Sequence, residues 1–383
     1  MQPDTRHPPR NGASTTDVLQ VSKYYYPEVG GIEQVVRTLA EGLHGPDMDV
    51  RVLAAAAGGL GGHDRINGVP VTKASSLGEL ASVPVTPLLP ARLARRARSA
   101  DIVHLHLPNP AAVASYLSLG PSRPRLVVTY HSDIVRQSKA LRVYESALHR
   151  VLDRADRIVT TSPNLLDHSE HLQPHTDRCE VAPLSVDLEE FESYDGPEYD
   201  LPTDPDRPTL LFVGRLSYYK GVEYLVDAMC DVDADLLVVG DGEERDALES
   251  RARDRGVTDR VRFLGRIPDE KLQYCYRAAD VFVLPSVAPS EAFGIVQLEA
   301  MAVGTPVVNT DLPTGVPWVS RDGETGLTVP PGDADALADA LETLIEDPGL
   351  RRRYGENAVE RVHEKFGRER MVERTRALYE ELC

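Results

Sequence analysis

The chain is short of cysteine, lysine and aromatic residues, and it has no long apolar run. Its four cysteines, Cys179, Cys230, Cys275 and Cys383, stand far apart and form no C-x-x-C pair. That excludes a zinc ribbon or dithiol redox motif and makes free thiols in a reducing compartment the expectation. No stretch approaches the roughly 18 apolar residues that a membrane span requires. Residues 1–17 are polar, carry Pro8 and Pro9 in tandem and lack the apolar segment of a secretory signal. They read as a flexible tail, and a cytoplasmic location is expected. Basic charge is also scarce: the net charge is -18, and only six of the 42 basic residues are lysine. A general nucleic-acid binder needs a basic face to displace counterions, so that class is excluded. The acidity is uneven, with a net charge of -3 over residues 1–195 and -15 over the remainder. Such a surface fits a halophilic host or a genome rich in arginine and alanine codons, and both readings stay open.

What is present is a regular alternation. At 383 residues, two domains are expected. Short β runs at Val18–Ser22, Val50–Ala54, Ile102–Leu105, Leu126–Tyr130, Ile158–Ser162 and Glu180–Ala182 are separated by helical stretches. One of these, Gly31–Leu43, places Val35, Val36, Leu39 and Leu43 on one face. Residues 192–208 hold four prolines and a cluster of acids without periodicity, and read as a linker. The alternation then restarts with strands at Thr209–Val213, Leu236–Val239, Val261–Leu264, Val281–Pro285 and Pro306–Asn309, and ends in two helices at about 349–365 and 367–382. The expected architecture is α/β: two facing Rossmann-like doubly wound domains, 18–191 and 209–365, with a deep cleft between them. A last helix in 366–383 is expected to pack back towards the first domain. Ligands of such sheets bind beyond the carboxyl ends of the strands.

Five segments could carry chemistry there. In VSKYYYPEVGGIEQ, Gly30 and Gly31 separate a strand from a helix and allow close backbone approach to an anion. The G-x-G-x-x-G dinucleotide pattern is absent. In FVGRLSYYKG, Gly214 ends a strand, and Arg215 and Lys220 flank the next helix start as a natural diphosphate clamp. In EAFGIVQLEAMAVGTPVV, Glu291 precedes and Glu299 lies within one helix, and Phe293, Gly294 and Ile295 offer backbone N–H groups. A carboxylate can accept two bonds from vicinal sugar hydroxyls, and Glu299, set among Val296, Leu298 and Met301, needs a partner. In VVTYHSD, His131 ends a strand facing the cleft. His104 and His106 alternate nearby, but no Asp, Glu or Cys completes a metal set with them. Finally, Arg92, Arg95, Arg96 and Arg98 fall within seven positions, and a basic helix of this kind can rest on anionic headgroups or simply face solvent.

Together these motifs resemble the family 4 retaining glycosyltransferases, which have the B-type fold of two Rossmann-like domains. The likeness runs from about Val18 to the last helix. It rests on E-x7-E at Glu291–Glu299, G-R-x4-K-G at Gly214–Gly221, the GDGEE turn at Gly240–Glu244, the Gly30-Gly31 pair and YHSD. The resemblance implies transfer of one sugar from a nucleotide-diphosphate donor to a glycan or lipid-linked acceptor, with retention and without a metal or other cofactor. Arg215 and Lys220 would hold the diphosphate, Glu299 the ribose, and Glu291 the sugar, helped by Phe293 and Gly294. His131 would lie near the reaction centre, Gly30 and Gly31 near the donor phosphate or acceptor, and Gly242 at the donor site. The base would rest at Gly265–Ile267, beside Arg266. YHSD followed by IVRQ is similar to the mannosyl- and rhamnosyl-transferring branch, which favours GDP-mannose. Where many members have I-P-N-G-V-D, this chain has A-P-L-S-V-D at Ala182–Asp187, so Ser185 restricts the backbone there.

A sugar-nucleotide epimerase, a phosphorylase or a noncatalytic partner of the same fold stands as the alternative. Contact with an anionic membrane at the inner face would run through Arg92, Arg95, Arg96 and Arg98. Read from sequence alone, Lys220→Ala and Glu299→Ala should abolish turnover while melting barely moves.

Overall fold

The computed structural model describes residues 15–383 except 29, 81–82, 121–123, 134–137 and 193. Most of the tail expected at 1–17, and the IVRQ stretch, lie outside the described residues.

The first sheet contains β1 (Thr16–Val21), β2 (Met48–Ala55), β3 (Gly62–Ile66) and β4 (Val69–Ala74). The minor pair β5 (Glu79–Leu80) and β6 (Val83–Pro84) stands apart, and β7 (Ile102–Leu107), β8 (Arg125–Tyr130), β9 (Arg157–Thr160) and β10 (Cys179–Val181) complete the main sheet. Its order is β10-β9-β8-β7-β1-β2-β4-β3, parallel except for the β3–β4 hairpin. The second sheet contains β11 (Thr209–Val213), β12 (Asp235–Val239), β13 (Val261–Gly265), β14 (Val281–Leu284), β15 (Val307–Thr310) and β16 (Gly326–Val329). Its order is β13-β12-β11-β14-β15-β16, all parallel. That is the doubly wound Rossmann order, with its reversal between β11 and β14. Four of the six strands, β11, β12, β14 and β15, are buried at every position and rich in Val, Leu and Phe, because a parallel sheet covered on both faces buries both sides of each strand.

The helices of the first half are α1 (Gly31–Leu43), α2 (Leu89–Ala97), α3 (Pro110–Leu117), α4 (Ser138–Arg154), α5 (Pro163–His168) and α6 (Leu188–Glu192). Those of the second are α7 (Val222–Ala228), α8 (Arg245–Arg255), α9 (Asp269–Ala278), α10 (Ile295–Ala302), α11 (Val316–Val319), α12 (Ala334–Glu346), α13 (Pro348–Lys365) and α14 (Arg368–Leu382). α14 returns to the first half. Val372 packs on Gly42 of α1, and the Tyr379 hydroxyl reaches His104 Nδ1 at 2.6 Å. The Ala182–Asp187 stretch is tied to the same turn: Val186 N donates to Phe366 O at 3.0 Å, and Arg368 donates to Asp187 at 3.0 Å. Ser185 Oγ sits 3.6 Å from Met371 Sδ. One apolar core therefore runs from Val36 and Leu39 through Phe293 and Phe366 to Tyr379, joining the two halves.

Two elements depart from the sequence expectation. The β3–β4 hairpin was not anticipated, because Gly62–Ile66 is almost wholly exposed and shows no apolar alternation. Its turn is Asn67-Gly68, with both residues at positive φ, as a tight hairpin turn requires. β16 is short and was also not expected. Residues 199–204 are not a free tether either: Tyr199 Oη donates to Glu270 at 3.0 Å and Asp204 N to Asp235 at 2.6 Å.

Candidate active site

The candidate residues of the second half gather where strand order reverses. β11 ends in Gly214 and β14 in the loop that leads to Glu291 and α10. Gly214 has φ +159, and a side chain there would meet the Lys220 ammonium at 3.4 Å. Lys220 folds back across the strand end, in contact distance of that position. Lys220 is 7% exposed and pairs directly with Glu291, which is 8% exposed. Ser286 Oγ donates to the same Glu291 oxygen at 3.2 Å. The sequence reading gave these two residues separate ligands, the diphosphate and the sugar; in the structure each is the other's partner. Arg215 is exposed and makes a 3.4 Å ion pair with Glu243.

Glu299 has the partner its setting demanded. Tyr276 Oη, from α9, donates to Glu299 Oε2 at 2.6 Å. Burial raises the Glu299 pKa, and the tyrosine bond counters that in part by favouring the anion. Tyr276 itself is driven far up by burial and by the neighbouring carboxylate. Gln297, which could have shared a solvated face with Glu299, is instead buried and bonds Asn309, Phe293 O and Val316 O. Phe293 is buried against Trp318 and Phe366, so α10 starts from a rigid aromatic base. Gly294, at φ +73, begins that helix in a left-handed conformation. Ile295 is half-buried and faces the other half of the molecule: a side chain on Gly31 would stand 3.6 Å from its Cδ1. Gly30 precedes α1 in extended conformation and accepts from Gln34 N at 2.9 Å.

Between these walls lies a cavity of about 490 Å³. Gln34 and Arg37 of α1 line one side, and Val213, Val296 and Glu299 the other. Glu33, on the same helix, has its pKa raised by burial. Gly242 and Arg266 stand at neighbouring strand ends. A side chain on Gly242 would strike the Leu216 carbonyl, and the Gly242 N–H donates to the Asp241 carboxylate at 2.9 Å. Arg266 is exposed and Ile267 half-buried.

His131 immediately follows β8 in the first sheet and is 4% exposed. Its Nε2 is 3.1 Å from His106 Nδ1, and His106 stacks on His104 at 4.3 Å. His104 spends both ring nitrogens, on Tyr379 and on Thr129 at 2.7 Å. Burial pushes His131 and His104 down to about 3, and it pushes His106 well below its ordinary range. The three rings are therefore neutral. Among the described residues, His131 Nδ1 has no protein partner. Asp133 is held by Tyr130 Oη and Ser169 Oγ, each at 2.7 Å. Sequence reasoning missed Tyr276 and Ser286, and it set His106 aside with the metal question; no local pattern marks them.

The arginine segment is only partly a free surface. Arg92 donates to Lys73 O at 3.1 Å and Arg96 to Thr72 Oγ1 at 3.0 Å, so both are turned onto β4. Arg95 and Arg98 remain exposed. No helix among the described residues is long and apolar enough to cross a membrane.

The pattern of the family described as Glycosyltransferase Family 4 matches residues 29–190, and that described as Glycosyl transferases group 1 matches 199–361. The chain is 31% identical to O-antigen chain mannosyltransferase C of Escherichia coli, over 94% of this chain and 97% of that protein. It is a family 4 glycosyltransferase. D-rhamnosyltransferase WbpZ of Pseudomonas aeruginosa is 33% identical over 91% of this chain and 92% of its own length. Among solved structures, sucrose-phosphate synthase from Thermosynechococcus elongatus superposes with a TM-score of 0.80 at 26% identity, covering 96% of this chain and 99% of that one. Anabaena HepE in complex with UDP gives 0.75 at 20%, covering 96% and 100%. The glycosyltransferase therefore has the B-type fold of two Rossmann-like domains.

Proposed function

We propose that this glycosyltransferase moves a hexose, mannose or a related sugar, from a nucleotide-diphosphate donor to a glycan or lipid-linked acceptor, with retention and without a metal. The observation that carries this reading is the convergence of Gly214, Lys220 and Glu291 at the reversal of the second sheet, beside a Glu299 carboxylate oriented by Tyr276. In this reading Lys220 and Arg215 hold the diphosphate, Glu299 the ribose hydroxyls, and Glu291 the donor sugar, with the N–H groups that start α10. The bond from the anomeric carbon to the phosphate oxygen breaks, and a bond to the acceptor oxygen forms on the same face. The acceptor proton passes to the departing phosphate. The buried Lys220 and the exposed Arg215 stabilise the charge left on that phosphate, the work a metal would otherwise do. His131, neutral and buried, can offer the sugar one hydrogen bond but no charge. Gly30 and Gly31 approach from the opposite wall, and Arg266 and Ile267 flank the base.

The names of the relatives favour mannose: one is a mannosyltransferase, one a D-rhamnosyltransferase, and a third, 32% identical, a phosphatidyl-myo-inositol mannosyltransferase of Mycobacterium leprae. GDP-mannose is accordingly the first donor to test. Contact with an anionic bilayer would run through Arg95 and Arg98, which are exposed, as are Leu77, Leu80 and Leu88. Loss of cosedimentation with anionic liposomes in Arg95→Ala/Arg98→Ala would support it, and unchanged binding would remove it.

The deciding experiment is nucleotide release from GDP-, UDP-, ADP- and dTDP-sugars, at low and molar KCl, with and without EDTA. Slow EDTA-resistant hydrolysis of one donor supports the reading. Silence across the panel, with no donor-dependent melting shift, overturns it.

A further inference from the structure

A second cluster of ligating side chains lies outside the donor cavity. Glu145 and His149 are four residues apart on α4, which puts them on one face of the helix, one turn from each other. His171, in the turn after α5, comes to meet them. One ligand atom from each residue lies within 4.8 Å of the other two. The His149 and His171 rings cross at 62° with centroids 5.2 Å apart, so they do not stack face to face. All three residues are half-buried. None of them lines the cavity between the two halves.

We propose that Glu145, His149 and His171 form a transition-metal site, for Zn²⁺ by preference, that staples α4 to the turn after α5. Two imidazoles and one carboxylate are a recognised zinc donor set, with the fourth position left to water. Zn–N and Zn–O bonds of about 2.0–2.2 Å bring tetrahedral donors to roughly 3.3–3.5 Å from one another. From atoms lying within 4.8 Å of one another, the trio would close by up to about 1.4 Å on binding the ion. The neighbouring His104–His106–His131 group lacks these properties. His104 has both nitrogens engaged, and among the described residues no carboxylate joins the three rings.

The staple has a structural consequence. The turn that carries His171 also carries Ser169, whose hydroxyl donates to Asp133, two residues beyond His131. A bound ion would brace the segment on which the end of β8 leans. Because it lies away from the donor residues, it is compatible with EDTA-resistant sugar transfer and does not rest on the identity of the donor.

The test uses the full chain, stripped with chelator, dialysed and titrated with ZnCl₂ by calorimetry. The expected result is one equivalent bound per chain, with a melting temperature raised on the order of 5 °C at a hundredfold excess over Kd. His149→Ala and His171→Ala should each lower affinity at least tenfold. Should an alanine variant melt lower without metal, Glu145→Gln, which keeps the shape, carries the comparison and should also bind more weakly. A wild-type chain that takes up no Zn²⁺, or variants that bind as it does, overturns the site.

Discussion

Lys220 and Glu291, 71 residues apart in sequence, form an ion pair in which each partner is more than nine-tenths buried. Their meeting follows from sheet order. Lys220 follows β11, Glu291 follows β14, and these strands are neighbours at the reversal. Breaking a buried pair by removing one member leaves an uncompensated charge, at a cost of roughly 3–5 kcal/mol.

That burial revises the expectation that Lys220→Ala would leave melting almost unmoved. Lys220→Ala should abolish turnover and lower the melting temperature by about 5 °C, since each kcal/mol shifts a chain of this length by roughly 1.2 °C. The double variant Lys220→Met/Glu291→Leu should recover most of the melting temperature and none of the activity. Calorimetric scans of the three proteins decide the matter. A Lys220→Ala variant that melts with the wild type would mean the pair is solvated.

Glu299 makes a different prediction, because its pKa is raised by burial while the Tyr276 bond pulls it down. The donor-binding form in this reading is the carboxylate. Donor affinity should therefore fall as pH drops through a limb lying above the ordinary carboxylate range. Tyr276→Phe removes the bond that favours the anion, so the limb should move to higher pH. Donor Kd measured from pH 4.5 to 8 in both proteins checks the sign. A limb that stays put, or moves down, would separate Glu299 from donor binding.

Gly240 tests the geometry of the strand ends. It has φ +130, and an added Cβ would drive into the Gly214 carbonyl. Gly240 N also donates to Gly265 O at 2.9 Å, so three strand ends are held together here. Gly256 has φ +72 with nothing within 4 Å of an added Cβ. Gly256→Ala should cost about 1 kcal/mol of backbone strain and leave donor KM unchanged. Gly240→Ala should cost more and raise donor KM at least tenfold, by displacing Gly214 and Arg215. Equal KM values in the two variants would show that the strand-end contact does not position the donor.

Much of this was legible in advance, for identifiable reasons. Strands such as Thr209–Val213 are buried on both faces, so they stand out as apolar runs between helical periods. E-x7-E and G-R-x4-K-G are local in sequence, and local pattern is what a single chain displays. Partnerships were not legible. Nothing near Glu299 points to Tyr276, 23 residues before it, and nothing near Lys220 points to Glu291, because both contacts are made by sheet order rather than by spacing. The same limit hid the fate of Arg92 and Arg96. Helical spacing put them on a face, but only the position of β4 turns that face inward. The β3–β4 hairpin escaped because its outer strand is solvated on both sides; the Asn67-Gly68 pair was the signal that could have found it.

The histidine group predicts acid lability. His104 and His131 fall to about 3 from an ordinary 6.5 because burial opposes their charged forms, and His106 is pushed well below its ordinary range for the same reason. Above about 6.5 all three are neutral in both folded and unfolded chains, so they leave stability independent of pH. As pH falls from 6.5 towards 3, the unfolded chain takes up protons that the folded one refuses. Stability must then be lost progressively across that window. His104→Gln/His106→Gln, which keeps polar atoms but cannot titrate, should flatten the acid side of a melting-temperature profile taken between pH 4 and 7.5. The wild type should lose several degrees that the variant keeps. Identical profiles would mean that the rings are already charged or solvated in the folded protein, and the neutral role given to His131 would fall with them.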